Sequence, residues 1–166
     1  MPLEGYRGGG GGWFIVLTLL LGAMLGILQL PTWLEPWRPE WIALVLIYWV
    51  IALPHRVGLF SAWLVGFFID VLEGSLLGLN AIALTLIAYI ALSLYQRLRM
   101  FTPLQQCTTI LMLIGLHQLL IFWVLTATGQ NTPSDLMFVV SALSSALVWP
   151  VVFVFLRYGR RVLEVY

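Results

Sequence analysis

The sequence predicts an all-α membrane protein with six transmembrane helices, and three observations carry that expectation. Of the 166 residues, 61% are hydrophobic and only 9% are charged, where an ordinary soluble domain has about 25% charged residues. The apolar residues fall into six runs separated by short joins. All eight basic residues are arginines, and they sit at the ends of the runs rather than in one cluster. A soluble fold of this composition would lack polar surface. The net charge of +1 gives no footing for nucleic acid.

The first run is Trp13 to Leu30. It exceeds the roughly 7–15 residues of a signal-peptide core, and no A-x-A-like site follows, so it is expected to stay as span one. The stretch 1–12, with Arg7 and a glycine run, reads as a flexible cytoplasmic lead-in. The second run is Trp41 to Leu53, the third Val57 to Glu73, the fourth Leu77 to Tyr95, the fifth Leu104 to Ala127 and the sixth Leu136 to Arg157. Crossing the hydrocarbon takes about 20 helical residues, with about 17 as the low end. The second run is short of that and the third marginal. Pro54 should stop the second helix, because its ring clashes with the preceding turn. Pro54-His55-Arg56 then makes a tight helical hairpin, or alternatively joins a re-entrant pair. The domain reading is one membrane domain over 13–157, followed by a short basic cytoplasmic tail over 158–166.

Arginine placement orients the spans. With six spans and a cytoplasmic N-terminus, Arg7, Arg56, Arg97, Arg99, Arg157, Arg160 and Arg161 lie inside and only Arg38 outside. Both termini are therefore expected inside. Trp33, Trp37 and Trp41 then form an outer interfacial belt. Small residues mark candidate helix interfaces: Gly22 and Gly26 on span one, and Ser141, Ala142, Ser145 and Ala146 on span six. Such stripes serve internal packing first and a partner helix second. Pro150 is expected to kink span six, with Trp149 beside it.

Ionisable groups inside apolar runs are costly, so they usually have a partner or a task. Asp70 and Glu73 lie i, i+3 on one helix face, and Gly66, Asp70 and Gly74 recur at a spacing of four. At 1.5 Å per residue, Asp70 stands about 21 Å beyond Arg56, in the outer half of the membrane. His117 reaches a similar depth on span five, about 18 Å from its inner end. If spans three and five are neighbours, His117 approaches Asp70. The pair then serves a proton relay, a ligand contact or, more plainly, a buried hydrogen bond that orients helices. Gly74 and Gly78 give the turn after Asp70 access to positive φ. Asn80 reads as a loop or helix-start residue.

Catalytic signals are absent from the sequence. There is no H-E-x-x-H, no G-x-S-x-G and no phosphate-binding glycine loop. A single cysteine, Cys107, excludes an internal disulfide and a cysteine metal site. The chain is read as non-enzymatic, with no catalytic, cofactor or metal residues assigned.

Several short motifs occur in a set order. Arg38-Pro39-Glu40-Trp41 opens span two. Tyr48-Trp49 and Ala52-Leu53-Pro54-His55-Arg56-Val57 follow, then Gly66, Asp70, Gly74, Leu77 and Gly78, and finally Leu147-Val148-Trp149-Pro150. From Arg38 to the C-terminus this resembles the MreD family of rod shape-determining membrane proteins in its proteobacterial form. The glycine-rich lead-in is not part of that pattern. The resemblance implies a non-catalytic subunit of the bacterial inner membrane within the elongation machinery for peptidoglycan. Its implied partners are the single-span protein MreC, directly, with MreB, RodA and RodA's partner transpeptidase in the same complex. It also implies a fold similar to the S-components of energy-coupling-factor transporters, which have six helices and an outward pocket.

Three functions follow as expectations. A scaffold would dock MreC through exposed small or aromatic faces on spans one and six. An outward-facing binding protein for a small molecule or lipid precursor would line its pocket with Asp70, Glu73 and His117. A proton-coupled transporter would rest on the acid–histidine pair alone.

Overall fold

A computed structural model describes residues 11–130 and 135–163. Most of the lead-in expected over 1–12 and the last residues of the expected tail lie outside them. The described chain forms six helices and no strand: α1 (Gly12–Ile27), α2 (Trp41–Ala52), α3 (Leu59–Glu73), α4 (Leu79–Met100), α5 (Pro103–Ala127) and α6 (Asp135–Val162). One 3-10 turn, Glu35–Trp37, precedes α2. Three stretches, Leu79–Met100, Pro103–Ala127 and Phe138–Val162, are long and apolar enough to cross a membrane.

The helix ends differ from expectation in instructive ways. α1 stops at Ile27 rather than Leu30, because the residue before Pro31 is pushed out of helical geometry. α6 continues past Arg157 to Val162 and carries Arg160 and Arg161 in its last turn, where cations suit the negative end of the helix dipole. It also runs through Pro150 without losing its helical assignment. α5 starts on a full capping box. Thr102 and Gln105 satisfy each other's backbone N–H, and Pro103 takes the first position, where an N–H is dispensable.

α2 is the centre of the fold. It is apolar all round, and such a helix has no face for water. Every residue from Ile42 to Ala52 is buried. α1, α4 and α6 wall it, α3 packs on α4, and α5 lies against α4 and α6. At 12 residues it spans about 18 Å, well short of the roughly 30 Å hydrocarbon layer. Protein surrounds it instead of lipid, so its ends must be finished by neighbouring side chains. At the start, the Glu40 backbone N–H donates to Ser145 Oγ of α6 at 2.9 Å. At the end, Arg99 of α4 donates from Nε to Ile51 O at 3.1 Å and from Nη2 to Ala52 O at 2.8 Å. Two of the carbonyls left over by the last turn are thereby paired.

α1 docks on α2 through one buried polar link. Trp49 Nε1 donates to Thr18 Oγ1 at 2.8 Å, and that hydroxyl donates to Ile15 O at 2.9 Å. Phe14 meets Trp49 edge to face at 5.8 Å. Gly22 lies close against α2, where an added Cβ would sit 3.4 Å from Ile42 Cα, whereas Gly26 faces open space. The paired-glycine interface expected on span one is thus a single close approach at Gly22. Thr18→Val keeps the shape but removes the acceptor, leaving a buried indole N–H unpaired. It should lower unfolding stability by about 1–2 kcal/mol, measured by denaturant titration in detergent. An unchanged midpoint would show that the link carries no weight.

The small face of α6 is likewise internal. Ser141, Ala142, Ser145 and Ala146 are all buried within the chain's own fold. The expectation that span six offers a small-residue face to a partner is therefore corrected: that stripe is occupied by contacts within the chain.

Candidate functional site

The polar residues expected to matter collect where α3 hands over to α4. α3 ends on Gly74 at φ +64, and α4 begins after Gly78 at φ +96, both in the left-handed region that favours glycine. Asp70, one turn before the end of α3, is 0% exposed. Its Oδ1 accepts from Ser75 Oγ at 2.9 Å and from the Asn80 N–H at 2.9 Å. Its Oδ2 accepts from the Gly78 N–H at 2.9 Å and the Ala81 N–H at 3.3 Å. These backbone donors are among those that the first turn of a helix cannot satisfy itself. Asp70 caps α4 from the preceding helix, its side chain set at the N-terminal end of α4 where the free amides point.

That approach depends on Gly66, one turn earlier. A Cβ there would land on the backbone of Ala81 and within 2.6 Å of Asn80 O, so α3 and α4 cross at the closest distance backbones allow. Glu73 lies at the exposed rim of the corner and only touches it, accepting from Asn80 Nδ2 at 3.5 Å.

His117 does not join Asp70. It is 1% exposed, and among the described residues neither ring nitrogen has a hydrogen-bond partner. Its neighbour Gln118 is the connected residue. Gln118 Nε2 donates to Glu40 Oε1 and to Ser141 Oγ, each at 2.9 Å, and Ser141 Oγ donates to Arg38 O at 2.7 Å. Ser144 and Ser145 both turn their hydroxyls back to Ser141 O. Burial pushes the Glu40 carboxyl above its ordinary pKa, against the opposing pull of Arg38 and the Gln118 hydrogen bond. This network ties the join before α2 to α5 and α6.

A cavity of about 260 Å³ opens beside it, lined in part by Arg38, Glu40, Gln118, Phe122, Phe138 and Ser141. Asp70, Glu73 and His117 are not among its lining residues, which corrects the expectation that these three line an outward pocket. Pro39 sits half-buried in the join itself. Gln118 and Ser141 are pocket residues that the sequence does not single out as such. Their only signal was a run of hydroxyls and an amide inside apolar helices, which calls for partners but does not name them. Among the described residues, no group of three or more His, Cys, Asp or Glu could hold a metal ion.

Comparison with known proteins places this architecture. The family model for the rod shape-determining protein MreD matches residues 10–159. A curated rod shape-determining protein MreD from Haemophilus influenzae is 32% identical over 152 residues, covering 90% of this chain and 92% of that protein. No solved structure matches. With the match running through all six helices, the chain belongs to the MreD family of rod shape-determining proteins.

Proposed function

We propose that the chain is a non-catalytic membrane scaffold of the rod-shape machinery, set in the bacterial inner membrane as one six-helix transmembrane domain with both termini in the cytoplasm. In that role it docks the single span of MreC and supports peptidoglycan synthesis along the cell wall, beside RodA, its transpeptidase and MreB. The observation that carries this reading is the use of Asp70. Its carboxylate accepts four bonds from the chain's own backbone and Ser75, so the most chemical residue of the sequence holds the fold. Family membership supplies the cell-shape role. Exposed apolar faces are ample, among them Val16, Leu20 and Met24 on α1 and the stacked Phe60, Trp63 and Phe67 on α3.

Affinity purification of the full chain from membranes that also contain MreC tests the reading. Recovery of MreC, together with restored rod shape in cells lacking their own MreD, is the expected outcome. Cells that regain shape without any MreC in the eluate would sink the docking role. Labelling of a cysteine placed at His55 from the cytoplasmic side only would agree with the orientation, and labelling from outside would reverse it.

A second reading, an outward-facing binding protein of S-component type, is favoured by the cavity beside Gln118. Bound density there, displaced in Gln118→Leu, would support it.

A further inference from the structure

The opposite end of the bundle holds a second, larger cavity of about 320 Å³, between the ends of α2, α4, α5 and α6. Arg99, Arg157 and Arg160 line it, and among the described residues no Asp or Glu does. We propose that this cavity is a binding site for the phosphodiester headgroup of an anionic phospholipid. The proposal goes beyond the scaffold reading and rests only on the chain lying in a membrane.

Three guanidinium groups sharing one cavity repel each other unless an anion joins them, and arginine presents a fixed fork of donors matched to phosphate oxygens. Arg99 spends Nε and Nη2 on the end of α2. Arg160 makes only a long contact there, from Nη1 to Ala52 O at 3.5 Å. Arg157 lies 5.9 Å from the centre of the Phe153 ring, which leaves its donors available among the described residues. The α2 dipole opposes an anion at this point, but its end carries only about half a negative charge.

Tyr48 gives a second, independent indication. It is 2% exposed as a residue and lines the cavity, and no hydrogen bond among the described residues uses its hydroxyl, which is open to the cavity rather than sealed in the core. A phenolic hydroxyl in that position is free to donate to an anion in the cavity. Its ring is fixed edge to face against Trp49 and Phe153. Gln106, by contrast, is already spent, donating to Leu98 O and accepting from Trp149 Nε1. The polar requirement of the cavity therefore falls on Tyr48 and the arginines. Basic pockets between membrane helices are the common setting for anionic headgroups.

The test is native mass spectrometry of the full chain released from nanodiscs of phosphatidylglycerol mixed with phosphatidylcholine. The expected result is retention of phosphatidylglycerol over phosphatidylcholine, weakened about fivefold in Arg157→Gln and about threefold in Tyr48→Phe. Arg97→Gln removes the same charge from an exposed residue of the same end, outside the cavity lining, and should change retention less than twofold. Millimolar inorganic phosphate is added in a second arm. Phosphatidylglycerol that survives it identifies a lipid site, and displacement of the lipid identifies a soluble phosphate group as the occupant. Equal loss in Arg97→Gln and Arg157→Gln would overturn the proposal, as would equal retention of both lipids. Tyr48→Phe keeps the packing, so it carries the test if Arg157→Gln fails to fold.

Discussion

Asp70→Ala should destabilise the folded chain by about 4 kcal/mol, seen as a large drop in unfolding midpoint in detergent and in membrane abundance. The substitution strands the N–H groups of Gly78, Asn80 and Ala81 in a corner where Asp70 itself is fully shielded from solvent. Each buried orphan donor costs about 1–3 kcal/mol, and water entering the space left by the carboxylate offsets part of the total. Asp70→Asn keeps one oxygen but turns an NH₂ toward other donors, so about half the loss is expected. A purely ligand-binding Asp70 predicts the reverse pattern: an alanine variant folded as well as the parent and deficient only in binding. Unfolding curves of the two variants beside the parent decide the matter, and a midpoint for Asp70→Ala within error of the parent would dismiss the capping account.

The six helices were legible because lipid and core both demand apolar runs, and nothing else in this chain competes with them. The buried position of α2 was not. The run Trp41 to Leu53 announced itself as too short to span, but its shortness left open whether it crossed, re-entered or lay inside protein. That choice is made by Ser145 and Arg99, which finish its ends from distant parts of the chain. The Asp70 corner was partly legible. Gly66, Asp70 and Gly74 on one face marked a close, acidic approach, yet the groups that bind Asp70 are mostly backbone amides, which no residue type advertises. The expected meeting of His117 with Asp70 failed for a related reason. Rise along a helix gives depth in the membrane, but two side chains at one depth meet only if their helices are neighbours and rotated toward each other. α3 packs on α4 rather than on α5, and Asp70 is already filled by its four donors.

Gly66→Ala should cost about 3 kcal/mol, although alanine is the better helix former by about 1 kcal/mol. The added methyl meets backbone, namely Ala81 and the Asn80 carbonyl, so no side chain can swing away to make room. α3 and α4 must separate, and overpacking of this kind typically costs about 1–3 kcal/mol, more where the neighbour is rigid. The separation also pulls the Asp70 carboxylate off the first turn of α4. The two substitutions should therefore be less than additive: Asp70→Ala made on a Gly66→Ala background should cost clearly less than it does alone. Gly26→Ala is the matched control, since it adds the same methyl to a helical glycine with nothing within 4 Å. It should be neutral or stabilising by up to about 1 kcal/mol. If Gly66→Ala behaves like Gly26→Ala in the same unfolding assay, the close crossing of α3 and α4 is not what sets the geometry at Asp70.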